Sequence, residues 1–170
     1  MTATVTMKGK PLPLVGKMPA IGQAAPEFIA LANDLSEVAL SSLRGRIVVI
    51  LSVPSLDTRV CDTETRRFNE AAAELGPGVK ILAISVDLPF AQARWCGAAG
   101  VKAVQTLSDH REMAFGRAYG VWIKPLRLLA RAVFVIDVSG VIRYSQLVDE
   151  VSDEPDYQAA LAAVRAVAGR

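Results

Sequence analysis

Apolar positions along this chain change spacing several times, and each change marks an element. Thr2 to Met7 and Pro11 to Val15 alternate around Lys8, Gly9 and Lys10, which predicts a short β-hairpin within residues 1–16. Ile47 to Ser52 is an unbroken, β-branched apolar run, and Val79 to Val86 is nearly so; both have the composition of strands buried on two faces. Between them, Asp62 to Leu75 reads as an amphipathic helix stopped by Gly76, Pro77 and Gly78. Phe28 to Leu31 and Glu37 to Leu40 predict two short strands flanking Asn33 and Asp34. Phe90 to Ala99 predicts a short helix, Val104 to Leu107 a strand, and Glu112 to Tyr119 a helical turn or two. Arg131 to Ile136 and Val141 to Leu147 form a late strand pair around Val138 to Gly140, and Asp156 to Val167 is an alanine-rich final helix. Strands alternating with helices, then a hairpin, predict an α/β chain with a mixed central sheet and helices on both faces. No repeat or linker divides the sequence, so one domain over residues 1–170 is expected.

Composition narrows the function classes. A chain of 170 residues that is 52% hydrophobic can bury a substantial core. The net charge of +2 comes from interspersed opposite charges, with no basic block long enough to track a phosphate backbone, so no nucleic-acid partner is expected. The segment from Met1 to Gly16 lacks the apolar core and cleavage pattern of a secretory signal, and no apolar stretch reaches the roughly 20 residues of a membrane span. A soluble, cytoplasmic protein without membrane contact is expected. Reducing conditions there make a structural disulfide unusual and a transient, catalytic one more common. Cys61 and Cys96 are too far apart for a Cys-x-x-Cys pair, and a single histidine, His110, gives no zinc pattern. Neither a metal nor a cofactor is expected.

Chemistry concentrates at Cys61, which follows the Ile47 to Ser52 run and opens the next helix. A cysteine in a first helical turn faces unpaired backbone N–H groups and the positive end of the macrodipole, and both favour thiolate over thiol. Pro54 cannot donate to a strand ladder and would close off the sheet above the loop. Thr58, three residues before the sulfur, carries a hydroxyl able to bond either an N–H or a bound oxygen. Together they would form a small polar cup around a nucleophilic sulfur. Arg59 should help a thiolate, whereas Asp62 and Glu64 should oppose it.

Pro54, Thr58 and Cys61 at this spacing resemble the signature of the peroxiredoxins, and the surrounding text is similar to their thiol peroxidase branch, the atypical two-cysteine type. The similarity runs from the hairpin through Asp87 to Gly97 and Leu129 to Asp137, then Ser145 to Glu150 and Glu154 to Tyr157. The resemblance implies a thioredoxin-like fold with an N-terminal β-hairpin extension. It also implies a peroxidase that reduces hydrogen peroxide and alkyl hydroperoxides, with Cys61 attacking, Cys96 resolving the product as an intramolecular disulfide, and Arg131 completing the pocket beside Pro54 and Thr58. Thioredoxin as reductant and a homodimer are implied on the same ground. A thiol–disulfide oxidoreductase and a redox sensor on the same fold are the alternatives.

Blander readings stand beside these. Cys61 alone reads as a small buried hydrophobe and Cys96, next to Trp95, as core filler. Arg131 reads as a strand-edge arginine with its head in water. Glu64, Arg66 and Arg67 could tune the site, and the simpler account is a solvated helix face with local charge pairing. Trp122 to Leu129 reads as a substrate groove, a dimer contact or core packing, and His110 as a surface residue.

Overall fold

The computed structural model describes residues 2–169; Met1 and Arg170, the end residues of the expected domain, lie outside the described residues. The chain opens with the hairpin β1 (Thr4–Met7) and β2 (Lys10–Val15), followed by β3 (Ile29–Leu31), β4 (Glu37–Ala39) and β5 (Ile47–Ser52). Then come α1 (Arg59–Leu75), β6 (Val79–Ser85), α2 (Pro89–Ala99), β7 (Val104–Ser108) and α3 (Ala114–Ala118). Two-residue strands β8 (Trp122–Ile123) and β9 (Leu128–Leu129) precede β10 (Ala132–Ile136), β11 (Ile142–Leu147) and α4 (Tyr157–Val167).

Seven strands form the main sheet in the order β11-β10-β5-β6-β7-β3-β4. Its centre, β5-β6-β7, is parallel. Antiparallel pairs flank it on both sides: β10 with β5 and β11, and β3 with β7 and β4. The mixed sheet predicted from the alternation of elements is therefore present.

Period-2 alternation of side chains explains how continuous apolar runs serve two cores. Ile47, Val49 and Leu51 of β5, Ile81 and Ala83 of β6, and Val133 and Val135 of β10 enter one cluster with Cys61, Phe68 and Leu75 of α1 and Ala160 and Val164 of α4. Trp95 and Ala99 of α2 pack against the same cluster. The intervening residues, Val48, Ile50, Leu82, Ile84, Phe134 and Ile136, enter the other cluster with the hairpin and Phe115 of α3. Phe28, Phe115, Tyr119 and Phe134 form edge-on and tilted ring pairs there, with centroids 4.6–6.4 Å apart.

Two elements differ from the sequence reading. Helix α1 begins at Arg59 rather than Asp62, because Thr58 is the extended N-cap (φ −89°, ψ 145°) and the three residues after it, Arg59, Val60 and Cys61, are already helical. Residues 122–129 form more than a simple loop, although Leu128 also lines a cavity. They fold as β8, a 3₁₀ turn (Lys124–Leu126) and β9, and β8 pairs with β2 to extend the hairpin into a four-stranded sheet, β1-β2-β8-β9. Trp122, Ile123 and Leu129 are buried, as core packing requires, while Leu126 stays 42% exposed. His110 is half-buried rather than fully at the surface.

Backbones cross closely where this small sheet joins the rest. Gly16 has φ +94° and Gly120 φ +67°, and the space a Cβ would need at Gly16 is taken by the Arg117 carbonyl and the Gly120 Cα. Among the described residues, no helix is long and apolar enough to cross a membrane.

Candidate active site

Strand β5 delivers the chain to the site, and a set of polar contacts fixes the loop that follows. The Ser52 hydroxyl donates to the Ala130 carbonyl at 2.8 Å, tying the end of β5 to the residue before Arg131. The Asp87 carboxylate, after β6, accepts from the Ser55 hydroxyl (2.7 Å), the Leu56 N–H (2.8 Å) and the Ser85 hydroxyl (2.7 Å). Pro54 is buried at the start of this loop and Thr58 is exposed at its end. The Thr58 hydroxyl donates to the Ser55 carbonyl at 3.0 Å instead of capping the helix, so its proton is committed and its lone pairs remain for an incoming donor.

Cys61 is the third residue of α1 and is fully buried. The first backbone bond of the helix runs from Asp62 N–H to the Thr58 carbonyl (3.0 Å), so the Cys61 N–H belongs to the turn that has no intrahelical partner. Arg131, 1% exposed, is the residue just before β10 rather than its first, and it donates through Nη2 to Cys61 Sγ at 3.2 Å. Its head is therefore not in water, contrary to the strand-edge reading. Nε and Nη2 also donate to the Val151 carbonyl at 3.2 and 3.0 Å, which fixes the plane of the guanidinium. Val151 is held in turn by the hairpin: its N–H donates to the Thr6 carbonyl, and the Glu150 carboxylate accepts from the Thr6 hydroxyl and the Lys8 and Gly9 N–H groups. Those bonds, that of Thr6 foremost, hold the Glu150 pKa down at about 2. The N-terminal extension thus supports the arginine that meets the sulfur.

Glu64, read from the sequence as part of a solvated face, is wholly buried and accepts from Arg131 Nη1 at 2.6 Å. One helical turn places it beneath the same guanidinium as Cys61, so a single cation serves both side chains. Burial pushes the Glu64 pKa up to about 7, with Arg131 only partly opposing it. Its Oε1 has no hydrogen-bond partner among the described residues. Burial alone would lower the pKa of Arg131, but Cys61 and Glu64 outweigh it and the direction is upward, so the guanidinium stays charged.

A stability consequence follows from the Glu64 shift. The carboxyl binds its proton more tightly folded than unfolded, so its contribution is fully present below the ordinary value of 4.5 and is lost as pH rises through about 7. Relative to Glu64→Gln, the unmodified chain is expected to lose about 3 kcal/mol of unfolding free energy between about pH 4 and about pH 8. Denaturant midpoints of the two proteins across that range measure it; parallel curves would refute a raised Glu64.

Arg131, Pro54, Thr58 and Arg59 line one largely apolar cavity of about 280 Å³, with Met7 and Lys8 of the hairpin turn, Leu128 and Val151. Cys61 lies beneath this mouth through its contact with Arg131. Of the two other charges flagged in the sequence, Arg59 shares the cavity lining and Asp62 is paired elsewhere. Arg59 is exposed, and the Asp62 carboxylate is occupied by Arg66 Nε at 2.8 Å and Trp95 Nε1 at 2.9 Å.

Cys96 does not join the mouth. It is half-buried on α2 and lines a separate groove of about 540 Å³ with Asn33, Lys80 and Thr106. Its sulfur lies 3.4 Å from the Thr106 hydroxyl, which itself donates to Asn33 Oδ1 at 2.9 Å. Both cysteines are free thiols, each held by its own partners. Of the five residues singled out in the sequence, four therefore converge and Cys96 stands aside. The local reading set Glu64 near the sulfur but on a solvated face, and it missed Val151 and Asp87; the partners of all three are brought in from distant segments.

Residues 21–145 match the model of the AhpC/TSA family. Over 165 residues the chain is 52% identical to a thiol peroxidase of Bacillus subtilis, covering 97% of this chain and 98% of that protein. It is 54% identical to a thiol peroxidase of Oceanobacillus iheyensis, covering 94% and 96%. Among solved structures, a peroxiredoxin-like protein from Aquifex aeolicus superposes with a TM-score of 0.91 at 42% identity, with 98% of each chain covered. A thiol peroxidase from Chromobacterium violaceum superposes with a TM-score of 0.85 at 26% identity, covering 96% and 95%. With its thioredoxin-like sheet, a cysteine at the strand-to-helix junction and these full-length likenesses, the chain belongs to the AhpC/TSA family of peroxiredoxins, among the thiol peroxidases.

Proposed function

We propose that this thiol-dependent peroxidase uses Cys61 as the attacking sulfur and Cys96 as the resolving one. The observation that carries the reading is the 3.2 Å contact between Arg131 Nη2 and the buried Cys61 Sγ, beneath a cavity open to a small substrate. The Cys61 thiolate attacks the distal oxygen of a hydroperoxide; the S–O bond forms as the O–O bond breaks, and the departing alkoxide or hydroxide takes a proton from solvent. Thr58, whose own proton is committed to Ser55, accepts the O–H of the peroxide. Arg131 and the Cys61 N–H stabilise charge as it moves from sulfur to the departing oxygen. The apolar lining supplied by Leu128, Met7 and Val151 suits alkyl hydroperoxides as well as hydrogen peroxide.

Resolution then joins the sulfenic acid of Cys61 to the thiol of Cys96, forming a disulfide and releasing water. A dithiol of the thioredoxin kind reduces it by exchange through a mixed disulfide. A cytosolic setting and a homodimer accompany this reading on family grounds. Turnover with thioredoxin, its reductase and hydrogen peroxide tests it. Cys61→Ser is expected to abolish peroxide consumption, and Cys96→Ser to consume one equivalent per chain and stop. Sustained turnover by both variants, or sulfenic acid formation no faster than in free cysteine, would overturn the assignment.

A further inference from the structure

Helix α1 is stitched to α2 and its exit along one face. Asp62, Arg66 and Asn69, spaced at helical intervals of four and three, all reach across. Asp62 Oδ1 accepts from Trp95 Nε1 at 2.9 Å, Arg66 Nη1 donates to the Ala99 carbonyl at 3.0 Å, and Asn69 Oδ1 accepts from the Lys102 and Ala103 N–H groups at 3.2 and 2.8 Å. Arg66 Nε also donates to Asp62 Oδ2 at 2.8 Å, and its guanidinium lies 5.8 Å from the centre of the Trp95 ring. The uppermost stitch joins the immediate neighbours of the two cysteines: Asp62 follows Cys61, and Trp95 precedes Cys96.

This arrangement bears on the second chemical step. Cys61 is held by Arg131 and Cys96 by Thr106, on opposite sides of the seam, and an S–S bond demands Cα atoms within about 7 Å and a defined dihedral. One or both sulfurs must leave their partners, and the first turn of α1 is the part free to unwind, since Arg66 and Asn69 anchor the turns below it. Asp62 lies at that boundary. We propose that Asp62 and Trp95 are positioning residues of the resolution step, their hydrogen bond clamping the first turn of α1 in its peroxide-reactive form and opening before Cys61 and Cys96 join. The clamp holds the sulfur beside Arg131 for attack and delays the disulfide. It thereby extends the interval in which the sulfenic acid meets a second peroxide and is oxidised to sulfinic acid.

The inference rests on the Cys61–Cys96 disulfide of the proposed function, and the test separates the two. Reduced protein is mixed rapidly with one equivalent of hydrogen peroxide. Peroxide loss reports the first step, and disulfide, trapped by acid quench and mass spectrometry, reports the second. Trp95→Phe removes the donor without changing charge. It is expected to leave the first step within about twofold and to speed disulfide formation by about threefold to tenfold, the net worth of one ordinary hydrogen bond at a half-buried site. Asp62→Ala should speed the second step similarly, and the double variant no further, because both remove the same bond. Sulfinic acid at excess peroxide should fall by the same factor. A merely destabilising change would slow both steps together. An unchanged or slower second step in both single variants, or full additivity in the double, overturns the clamp. Absence of the disulfide in the unmodified protein instead overturns the mechanism beneath it.

Discussion

Arg131→Met is expected to slow the reaction of Cys61 with peroxide by about 10² to 10³, the usual effect of removing one preorganised donor from a site of developing charge. Methionine keeps the length and apolar stem of the side chain but has no N–H to offer the sulfur, which lies 3.2 Å from Nη2. Stopped-flow measurement of the first step isolates this effect from later ones. The same change removes the 2.6 Å partner of a fully buried carboxylate, a class of lesion that costs about 3–5 kcal/mol. Glu64 can escape part of that penalty by taking up a proton, since burial already lifts its pKa to about 7 and the cation opposing the rise is gone. The destabilisation should therefore be smaller below neutral pH than above it. Adding Glu64→Gln to Arg131→Met is expected to restore most of the stability and none of the rate. If the double variant recovered activity, the arginine would matter for folding alone and its role at the sulfur would have to be abandoned.

Gly16→Ala should be the most destabilising single methyl addition to the hairpin. The residue has φ +94°, and the added carbon would overlap the Arg117 carbonyl and press on Gly120. Left-handed strain of about 1–3 kcal/mol and overpacking of similar size add to roughly 3 kcal/mol or more. For a chain of this length that lowers Tm by about 10 °C. Gly78→Ala, where nothing lies within 4 Å of the new carbon, serves as the control and should move Tm by only about 1 °C. Equal shifts in the two variants would contradict the tight crossing. Because the hairpin contributes Met7 and Lys8 to the mouth and holds Val151 against Arg131, Gly16→Ala should also lower peroxidase activity at temperatures where the main sheet is still folded.

The main sheet was legible because its strands announce themselves locally. The apolar, β-branched run of β5 and the nearly apolar runs of β6 and β10 are long enough for periodicity and composition to identify them. Cys61, Pro54 and Thr58 were legible for the same reason, lying within eight consecutive residues of a strand-to-helix junction. Strands β8 and β9 have two residues each, too few to show any period, and they exist because β2 and the buried Trp122 recruit them. Glu64 was read as solvated because its immediate neighbours, Asp62, Thr63, Thr65 and Arg66, are polar or charged, whereas the cation that draws it inward stands 67 positions away. Asp87 and Val151 share that character. Their roles depend on which backbone groups arrive beside them, and no side-chain pattern along the chain encodes that.

Cys61 and the arginine that meets it are separated by 70 positions, and that arginine is oriented by a carbonyl 20 positions further on. An emerging or denatured polypeptide therefore lacks this contact, because no local stretch of sequence brings Arg131 to the sulfur. On the role proposed for Cys61, reactivity towards oxidant is acquired at the end of folding, all at once, and is forfeited when the tertiary contacts go. Damaged copies fall silent as peroxide scavengers instead of persisting as loose, promiscuous nucleophiles.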